Sequence, residues 1–363
     1  MGVCKRCVMD SSAQEFEETE FGCNFCDSFL LESKNLYSNS KKKLDPLLQR
    51  IKLDGKGKEY DCIVGVSGGV DSSWVLVKAV EFGLRPLAVH MDNTWNSELA
   101  NNNIRNLIDG LGIDLETYVI DWQEYRELLC SFFKADVVDV ELLYDNALYG
   151  VNYVLSKKYG IKHLLGGLNH ATEGIQMPKD WNWNKYDSKN IKGIYRSYGA
   201  GYQIKSYPYF SIIDFIFHKY IRSTEWHSIL DMITYKKEIA MKSLEDNFGY
   251  KRYPYKHYES ILTRFYQGYI LPKKFGIDKR KVHLSTLILN GELTRKAALD
   301  LLSQSPYPDQ ADLKSDLKFF LDKMEWSHQD LDFYIKRPRK EHIDFGSSVN
   351  FQNFLRKLKY LLA

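Results

Sequence analysis

The middle of the chain alternates between short apolar runs and longer amphipathic stretches, the pattern of a parallel α/β sheet. Four apolar runs predict strands, and the stretches between them predict helices. The predicted strands are Asp61–Val66, Leu84–His90, Glu116–Ile120 and His163–Gly166, and the predicted helices are Val70–Phe82, Glu98–Leu111 and segments between Trp122 and Lys158. The pattern therefore predicts the α/β fold class with a parallel sheet.

Three further zones flank this α/β domain, which we place at residues 59–206. Residues 1–30 carry two cysteine pairs and no regular apolar pattern, which favours a small metal-binding module. Residues 31–58 are polar and rich in lysine, as expected of a connector. In residues 207–363, aromatic and basic residues recur in helical segments and predict a mostly helical C-terminal region for a substrate or partner.

Charge and composition narrow the function classes. The 50 Lys and Arg residues nearly balance the 47 Asp and Glu residues, so the net charge is only +3. Dedicated nucleic-acid binders usually carry a clearer basic excess, which makes a nucleic-acid partner unfavoured. We find no signal peptide and no apolar run long enough to span a bilayer, so we expect no membrane insertion. Six cysteines in a chain of this size do not form a disulfide framework, and a cytoplasmic location is expected.

A glycine- and serine-rich string follows the first predicted strand and opens the next helix. A phosphate-binding loop requires this setting. Adjacent glycines let the backbone approach a ligand, and the free N–H groups of a helix N-terminus attract anions. We therefore predict nucleotide binding by Ser67, Gly68, Gly69, Val70, Asp71, Ser72 and Ser73.

Asp71 is the unusual member of this string. A carboxylate beside bound phosphates repels them unless a divalent cation lies between, so Asp71 predicts a Mg²⁺ site. We expect catalytic roles for Asp71, Ser67 and Ser72. The alternative is a helix whose first turn is merely stabilised by Asp71 and the serines.

The string SGGVDSS resembles the signature of the PP-loop ATP pyrophosphatases, which include asparagine synthetase, GMP synthetase, argininosuccinate synthetase and tRNA-modifying enzymes. It differs from a Walker A loop because no Gly-Lys-Ser/Thr follows. The resemblance implies an adenine nucleotide α-hydrolase-like fold and cleavage of ATP between its α- and β-phosphates. The loop would hold the departing pyrophosphate, with nucleotide at the carboxyl ends of the strands.

Two further strand ends fit that expectation. His90, Met91 and Asp92 follow the second predicted strand, where the resemblance implies contact with adenosine. Gly166 and Gly167 follow the fourth strand and supply another flexible, polar loop. Either loop could instead be a plain turn between a strand and a helix.

Two CxxC pairs, Cys4/Cys7 and Cys23/Cys26, are separated by fifteen residues. This spacing can bring four thiolates to one tetrahedral centre and predicts a structural, zinc-ribbon-like Zn²⁺ site. The zone is too short and polar to bury a core of its own, so the metal would supply its folding energy. An iron–sulfur cluster, a redox pair and incidental thiols are the alternatives.

The C-terminal block KHYES…FYQGYILPKKFGIDKRKVHLS is dense in cationic and polar groups. Together with SGGVDSS and the cysteine quartet, it resembles the N-acetyl sugar amidotransferase family over nearly the full chain. The resemblance implies synthesis of acetamidino sugars for bacterial surface polysaccharides such as the lipopolysaccharide O-antigen. Lys273 follows Leu271-Pro272, a stretch similar to one that faces the substrate cleft in asparagine synthetase. A solvated basic helix pair is the alternative.

Lys205 lies in GAGYQIKSYP, which we interpret as the edge of a last strand. A cation there would balance the charge of the departing pyrophosphate. An exposed lysine without a role is the alternative.

The resemblance implies that the acetamido oxygen of a nucleotide-linked sugar attacks the α-phosphate of ATP, and that ammonia then displaces AMP. A glutaminase needs a reactive cysteine, yet four cysteines belong to the quartet, and Cys62 and Cys130 lie in apolar runs. We therefore expect a separate glutaminase partner, and the resemblance implies a cyclase-like ammonia-channel subunit beside it.

Three other functions remain open. A PP-loop tRNA thiolase also combines such a loop with CxxC motifs, but generally needs a sulfur-carrying cysteine and an RNA-binding surface. An asparagine-synthetase-like enzyme would amidate a carboxylate. A zinc-bearing interaction protein would carry a damaged loop, whereas Ser67, Gly68, Gly69, Asp71 and Ser72 are all present.

Overall fold

The computed structural model describes residues 2–37, 40–307, 309–351 and 353. Met1, residues 38–39 of the predicted connector, and residues 308, 352 and 354–363 of the predicted C-terminal region lie outside the described residues. Within the described part, parallel strands form one sheet: β1 is Cys62–Gly65, β2 is Pro86–Asp92, β3 is Leu115–Val119, β4 is His163–Leu165 and β5 is Glu225–His227. Their order across the sheet is β3-β2-β1-β4-β5. The predicted α/β class and parallel sheet are confirmed.

Helices connect the strands and make up most of the chain beyond them. The α-helices are α1 (Asn24–Tyr37), α2 (Ser40–Asp54), α3 (Val70–Glu81), α4 (Glu98–Leu111), α5 (Trp122–Ala135), α6 (Leu142–Tyr159), α7 (His170–Glu173), α8 (Ser188–Tyr198), α9 (Ile212–Ile216), α10 (Lys237–Phe248), α11 (Ile261–Phe265), α12 (Arg280–Leu289), α13 (Arg295–Ser303), α14 (Gln310–Met324) and α15 (His328–Lys336). Two π-helical stretches, Phe217–Ile221 and Tyr266–Phe275, continue α9 and α11, and short 3₁₀ turns span Ile229–Met232 and His342–Phe345.

The sheet is covered on both faces, as its alternating strand residues require. In β1, Cys62 and Val64 belong to one buried cluster, together with α3, α4 and α10. Ile63, between them in sequence, belongs to the other cluster, together with α5 and α6. β1, β2 and β4 are therefore held between two helical layers, whereas β3 lies at an exposed edge, and the carboxyl ends of the strands carry the loops.

The strand order creates a crevice at the carboxyl ends of β1 and β4. β1 pairs with β2 on one side and with β4 on the other, so the connections after β1 and β4 leave the sheet in opposite directions. Ligands of open α/β sheets bind at such a switch point. The glycine-serine string after β1 and the Gly166-Gly167 loop after β4 both lie there.

The fifth strand lies beyond residue 206, in the region that the sequence predicted to be mostly helical. Glu225–His227 pairs with β4 and forms an edge of the sheet, so the sheet draws on residues that we had assigned to the helical region. The strand has only three residues, and its alternation is too short to distinguish from a loop. The rest of the described C-terminal region is helical, as predicted.

The segment that carries Lys205 is not a strand, which corrects our interpretation of it as the edge of a last strand. Residues 199–210 have no regular structure, and the backbone N–H groups of Lys205, Ser206 and Tyr207 all donate to the carboxylate of Glu124. Glu124 lies in the first turn of α5 and is buried. A buried carboxylate that collects several N–H donors is satisfied without a sheet ladder, so this segment is anchored by one side chain.

None of the helices within the described residues combines the length and the apolar character that crossing a bilayer requires.

Packing of α6 leads to a stability prediction. A Cβ atom on Gly150 would lie 2.0 Å from the carbonyl oxygen of Pro208, so this helical glycine permits close backbone approach. Alanine is the better helix former by about 0.5–1 kcal/mol, but the overlap costs about 1–3 kcal/mol. We expect Gly150→Ala to lower the free energy of unfolding, as measured by urea denaturation.

The control for this substitution is Val154→Ala on the same helix, where the side chain is 54% exposed. Its free energy of unfolding should stay within about 0.5 kcal/mol of the wild-type value. A Gly150→Ala variant that is more stable than the wild type would contradict the packing described for α6.

Candidate functional site

The glycine-serine string forms a tight loop between β1 and α3. Gly68 has φ +82°, a conformation that favours glycine, and an added Cβ would lie 2.9 Å from the Ala100 carbonyl oxygen. The Ser72 hydroxyl donates to the Gly69 carbonyl over 3.1 Å and accepts the Ser67 N–H over 3.3 Å. The loop is therefore held in shape by its own serines.

The N-terminus of α3 is open for an anion. Gly69 occupies the N-cap position, and no side chain caps the helix. The first N–H groups of a helix lack partners within it, and the helix dipole attracts negative charge to them. No side chain caps α3, but the serine hydroxyls do stabilise its first turn, as the alternative expected.

Three tyrosines from the C-terminal region close over the loop. The hydroxyl groups of Tyr250 and Tyr253 both donate to the Gly68 carbonyl oxygen, over 2.9 and 2.8 Å. Tyr235 donates to the Asp71 carboxylate. Sequence reasoning missed all three, because a tyrosine more than 160 residues from the loop gives no local signal of the contact.

Asp71 lies on the first turn of α3 and is half-buried. The Tyr235 hydroxyl donates to its Oδ1 atom, and the other carboxylate oxygen can still ligate a cation. Hard oxygen ligands of this kind suit Mg²⁺, so the residue fits the predicted metal. Burial, with Asp71 as the second cause, raises the pKa of Tyr235 well above its usual value.

The last three residues of β2 are held tightly. Nδ1 of His90 lies 2.9 Å from the Val66 carbonyl oxygen and Nε2 lies 3.0 Å from the Asn96 amide, so both ring nitrogens are engaged. Met91 is buried, and the Asp92 carboxylate accepts the Thr94 N–H over 2.7 Å. The three predicted nucleotide contacts thus lie at the carboxyl edge of the sheet, with the side chains of His90 and Met91 turned into the protein.

The Gly166-Gly167 loop packs against the glycine-serine loop. A Cβ on Gly167 would lie 2.9 Å from the Ser72 nitrogen, and one on Gly166 would lie 3.3 Å from the Trp226 ring. Glycine is required here because two backbones meet. The structure thereby brings these two predicted loops together.

The two predicted catalytic lysines lie elsewhere. Lys205 is exposed, and the Lys273 ammonium is stacked 4.0 Å from the centre of the Tyr269 ring on the surface. Among the described residues, no hydrogen bond or ion pair joins either side chain to residues 67–73. The side chain of the neighbouring Lys274 is fully buried and forms an ion pair with Asp136 inside the protein.

The segment 250–261 connects the loop to the helical region. After Tyr253 touches Gly68, the chain passes the end of β2, where the Ser97 N–H donates to the Glu259 carbonyl and the Ile261 N–H donates to the Trp95 carbonyl, each over 2.9 Å. Between these contacts His257 has φ +65°, which is rare for a residue other than glycine. Such an outlier is a pointer to function.

A cavity of about 230 Å³ opens beside this segment. Its lining combines basic and polar groups with an apolar wall: Tyr255, Lys256, His257, Arg264, Gln267, Gly268, Asp278, Lys279, Arg280, His283, Leu284, Leu301, Gln304, Ser305 and Pro306. Several of these residues come from the basic C-terminal block, but Lys273, the residue predicted from that block, does not line the cavity.

The four N-terminal cysteines meet at one point, as predicted. They are fully buried, and their Sγ atoms lie within 4.8 Å of one another. Neighbouring sulfurs are 3.6–3.9 Å apart, and a tetrahedral zinc with bonds of about 2.3 Å requires about 3.8 Å. The donor set fits Zn²⁺, with no coordination position left for a substrate.

The cysteine module packs onto the helical region. The Arg295 guanidinium donates to the carbonyl oxygens of Cys4 and Cys7, and the Val8 N–H donates to the Ser285 hydroxyl. Lys281 pairs with Asp10 over 2.6 Å. One side of α12 is therefore attached to the cysteine module, while Arg280, His283 and Leu284 of the same helix line the cavity.

Residues 259–359 match the family model of the C-terminal domain of WbpG-like lipopolysaccharide biosynthesis proteins. The match covers most of the C-terminal block on which the resemblance to the N-acetyl sugar amidotransferases partly rested, and it bears out a relation to lipopolysaccharide biosynthesis proteins for that part of the chain. None of the curated proteins matches the chain.

Solved structures similar to this chain include three synthetases. The NMN synthetase from Francisella tularensis has 14% identity and a TM-score of 0.28, over 63% of this chain and 99% of that one. The NH3-dependent NAD synthetase from Campylobacter jejuni, in complex with nitrate, has 15% identity and a TM-score of 0.29, over 58% and 96%. The glutamine-dependent NAD+ synthetase from Acinetobacter baumannii, in complex with ADP, has 14% identity and a TM-score of 0.32; the match covers 79% of this chain but only 44% of that one.

The cysteine site generates a metal prediction. Purified protein should contain about one zinc per chain, and Cys23→Ser should lose most of it, because a four-sulfur site depends on every ligand. We expect the thermal unfolding temperature to fall in parallel. Metal content by plasma emission spectrometry and scanning calorimetry measure the two effects.

Cys130→Ser is the matched control, since Cys130 lies on α5 outside the cluster. It should keep full zinc content. An iron chromophore in the wild-type protein, or full zinc content in Cys23→Ser, would contradict the assignment.

Proposed function

We propose that this chain, whose C-terminal region matches the WbpG-like domain of lipopolysaccharide biosynthesis proteins, is an ATP-dependent amidotransferase that converts an acetamido sugar into an acetamidino sugar. The acceptor is a nucleotide-linked N-acetyl sugar of bacterial surface-polysaccharide synthesis, the O-antigen of lipopolysaccharide being one such product. ATP is split to AMP and pyrophosphate.

One observation carries the proposal. The backbone loop of residues 67–73 opens an uncapped helix at the switch point of the sheet, and the segment that closes over it continues into the cavity of the C-terminal domain. Phosphates bound at α3 would thus lie close to an acceptor held by the helical region. Positioning and electrostatic stabilisation of this kind account for most catalysis in phosphoryl and nucleotidyl transfer.

The chemistry needs no protein nucleophile. The acetamido oxygen attacks the α-phosphorus, the bond between the α- and β-phosphates breaks, and pyrophosphate leaves. Ammonia then adds its lone pair to the activated carbon and loses a proton, and the C–O bond to AMP breaks with both electrons. The amide oxygen ends on AMP, and the sugar keeps an acetamidine.

The loop residues have defined tasks in this scheme. The N–H groups at the start of α3 bind the departing pyrophosphate, and the hydroxyl groups of Ser67 and Ser72 hold the loop in shape. Asp71 would hold Mg²⁺, which would neutralise phosphate charge when bound. Tyr235 orients that carboxylate.

A separate glutaminase, with a cyclase-like channel subunit, supplies the ammonia in this proposal. The thiolate is the nucleophile of a glutaminase, and burial raises the pKa values of both Cys62 and Cys130, which disfavours the thiolate form. The other four cysteines fit the zinc site. Glutamine should therefore not replace ammonium when this chain is assayed alone.

The deciding assay supplies ATP, Mg²⁺, ammonium and a panel of nucleotide-linked acetamido sugars, with products identified by mass spectrometry. We expect AMP, pyrophosphate and an amidine in equal amounts. Formation of ADP, or AMP release that depends on tRNA and not on a sugar, would reject the proposal.

Asp71→Asn should reduce AMP formation at least about a hundredfold, because it removes the charge that holds the cation without changing the size of the side chain. Asp109→Asn, at an exposed position on α4, is the matched control and should keep wild-type turnover. Both variants should keep the wild-type unfolding temperature, and unchanged turnover in Asp71→Asn would remove Asp71 from the mechanism.

A further inference from the structure

The segment that contacts the glycine-serine loop also lines the cavity. The chain runs from Tyr253, which touches Gly68, through Tyr255, Lys256 and His257, which line the cavity, within a few residues. Asp71 is among the charges that act on Lys256. A ligand in the cavity would therefore lie within reach of chemistry at the loop.

The size of the cavity limits what can enter. About 230 Å³ is less than the roughly 300–1,000 Å³ of pockets that enclose a whole drug-sized ligand. Leu284, Leu301 and Pro306 form an apolar part of the cavity wall. One moiety of a nucleotide-linked sugar fits such a space, and the remainder must lie outside.

Most cations around the cavity are already neutralised. Arg264 is held by Asp316 through two bonds of 2.5 Å, Lys279 pairs with Glu141 over 2.7 Å, and Arg280 pairs with Asp278 over 2.7 Å. Each of these pairs fixes its cation in one place. These three residues shape the wall.

Lys256 differs from them. The nearest carboxylate oxygen, on Glu173, is 3.7 Å from its ammonium, a loose ion pair, and 36% of the side chain reaches solvent in the cleft. The protein walls around the cleft lower its pKa, since they displace water from the charged form. Such a cation gains from a ligand anion.

Two histidines lie beside Lys256. Nδ1 of His283 is 3.1 Å from the Thr172 carbonyl oxygen, so this nitrogen donates and Nε2 carries the lone pair. Burial, reinforced by Lys256, lowers the pKa of His283 to about 3 and that of His257 well below its usual value. The charges that act on these two rings and on Lys256 are those of Asp71, Glu173, Lys237, Glu259 and Lys279.

We propose that this cavity binds an anionic group of the acceptor sugar, with the Lys256 ammonium as its counter-ion and His257 and His283 as its polar contacts. The group is a carboxylate on the sugar or the diphosphate of its nucleotide. The inference rests on the proposed function for the identity of the ligand, but not for the existence of the site.

Anion binding at this place has a distinct signature. An added negative charge favours the protonated form of both imidazoles, so ligand binding raises their pKa values and takes up protons. Binding must therefore strengthen as the pH falls toward the raised pKa values. A neutral sugar that only packs against the apolar wall would not produce this linkage.

The test uses the full chain with ¹³C-labelled histidine, whose nine imidazole signals are followed by NMR, with His257 and His283 assigned through their Asn variants. The probes are glucuronate, inorganic phosphate and N-acetylglucosamine at matched concentrations over a pH series. We expect at least one anion to shift both signals and raise both pKa values, while N-acetylglucosamine leaves the pKa values unchanged. A response to glucuronate alone identifies a sugar carboxylate, and a response to phosphate identifies the diphosphate.

Lys256→Gln should weaken binding of that anion at least about tenfold, and Lys256→Arg should restore most of it. Lys242→Gln, an exposed position on α10 outside the cavity, is the matched control and should bind as the wild type does. The inference is overturned if neither anion exceeds the neutral sugar, or if Lys256→Gln binds like the wild type. This readout needs no turnover. Anion binding in the cavity can therefore be observed even if the amidotransferase assay is negative, and the assay can be positive even if no anion binds there.

Discussion

The two hydrogen bonds from Tyr250 and Tyr253 to the Gly68 carbonyl are the contact on which the arrangement of this protein depends. Gly68 adopts a positive φ in a loop that holds two glycines, and a loop of that kind has much conformational freedom to lose. Fixing its carbonyl from outside keeps the N–H groups of α3 directed at one place. The same contact connects the C-terminal region to the loop after β1, through the segment that also lines the C-terminal cavity.

The cysteine module contributes at a distance from that site. It is bound to α12 and α13 through Lys281, Ser285 and Arg295, and α12 also carries His283 on the wall of the cavity. A module of about 30 residues held by four sulfurs is rigid once it is metallated. Zinc would in this way support the shape of the cavity without taking part in the chemistry.

The strands and helices around the glycine-serine loop were predictable from the sequence for a physical reason. A buried parallel strand must be apolar, an amphipathic helix must repeat every 3.6 residues, and a turn with a positive φ favours glycine. These requirements act over a few residues, and helix Glu98–Leu111 was predicted with its observed bounds. β5 escaped prediction because three residues carry too little alternation, and Lys205 was placed on a strand because an extended segment held by Glu124 resembles one in sequence.

By itself, the sequence determined the sheet class, the glycine turn of residues 67–73 between a strand and a helix, and the meeting of four cysteines, since each depends on residue type at short spacing. Only the tertiary structure decided which distant side chains complete the site. Tyr235, Tyr250 and Tyr253 reach the loop, and Lys256 and His283 face one cavity, because the C-terminal region folds back across the carboxyl edge of the sheet. Contacts between residues far apart in the chain depend on how the layers pack. The residues on either side of each contact in the sequence do not indicate that packing.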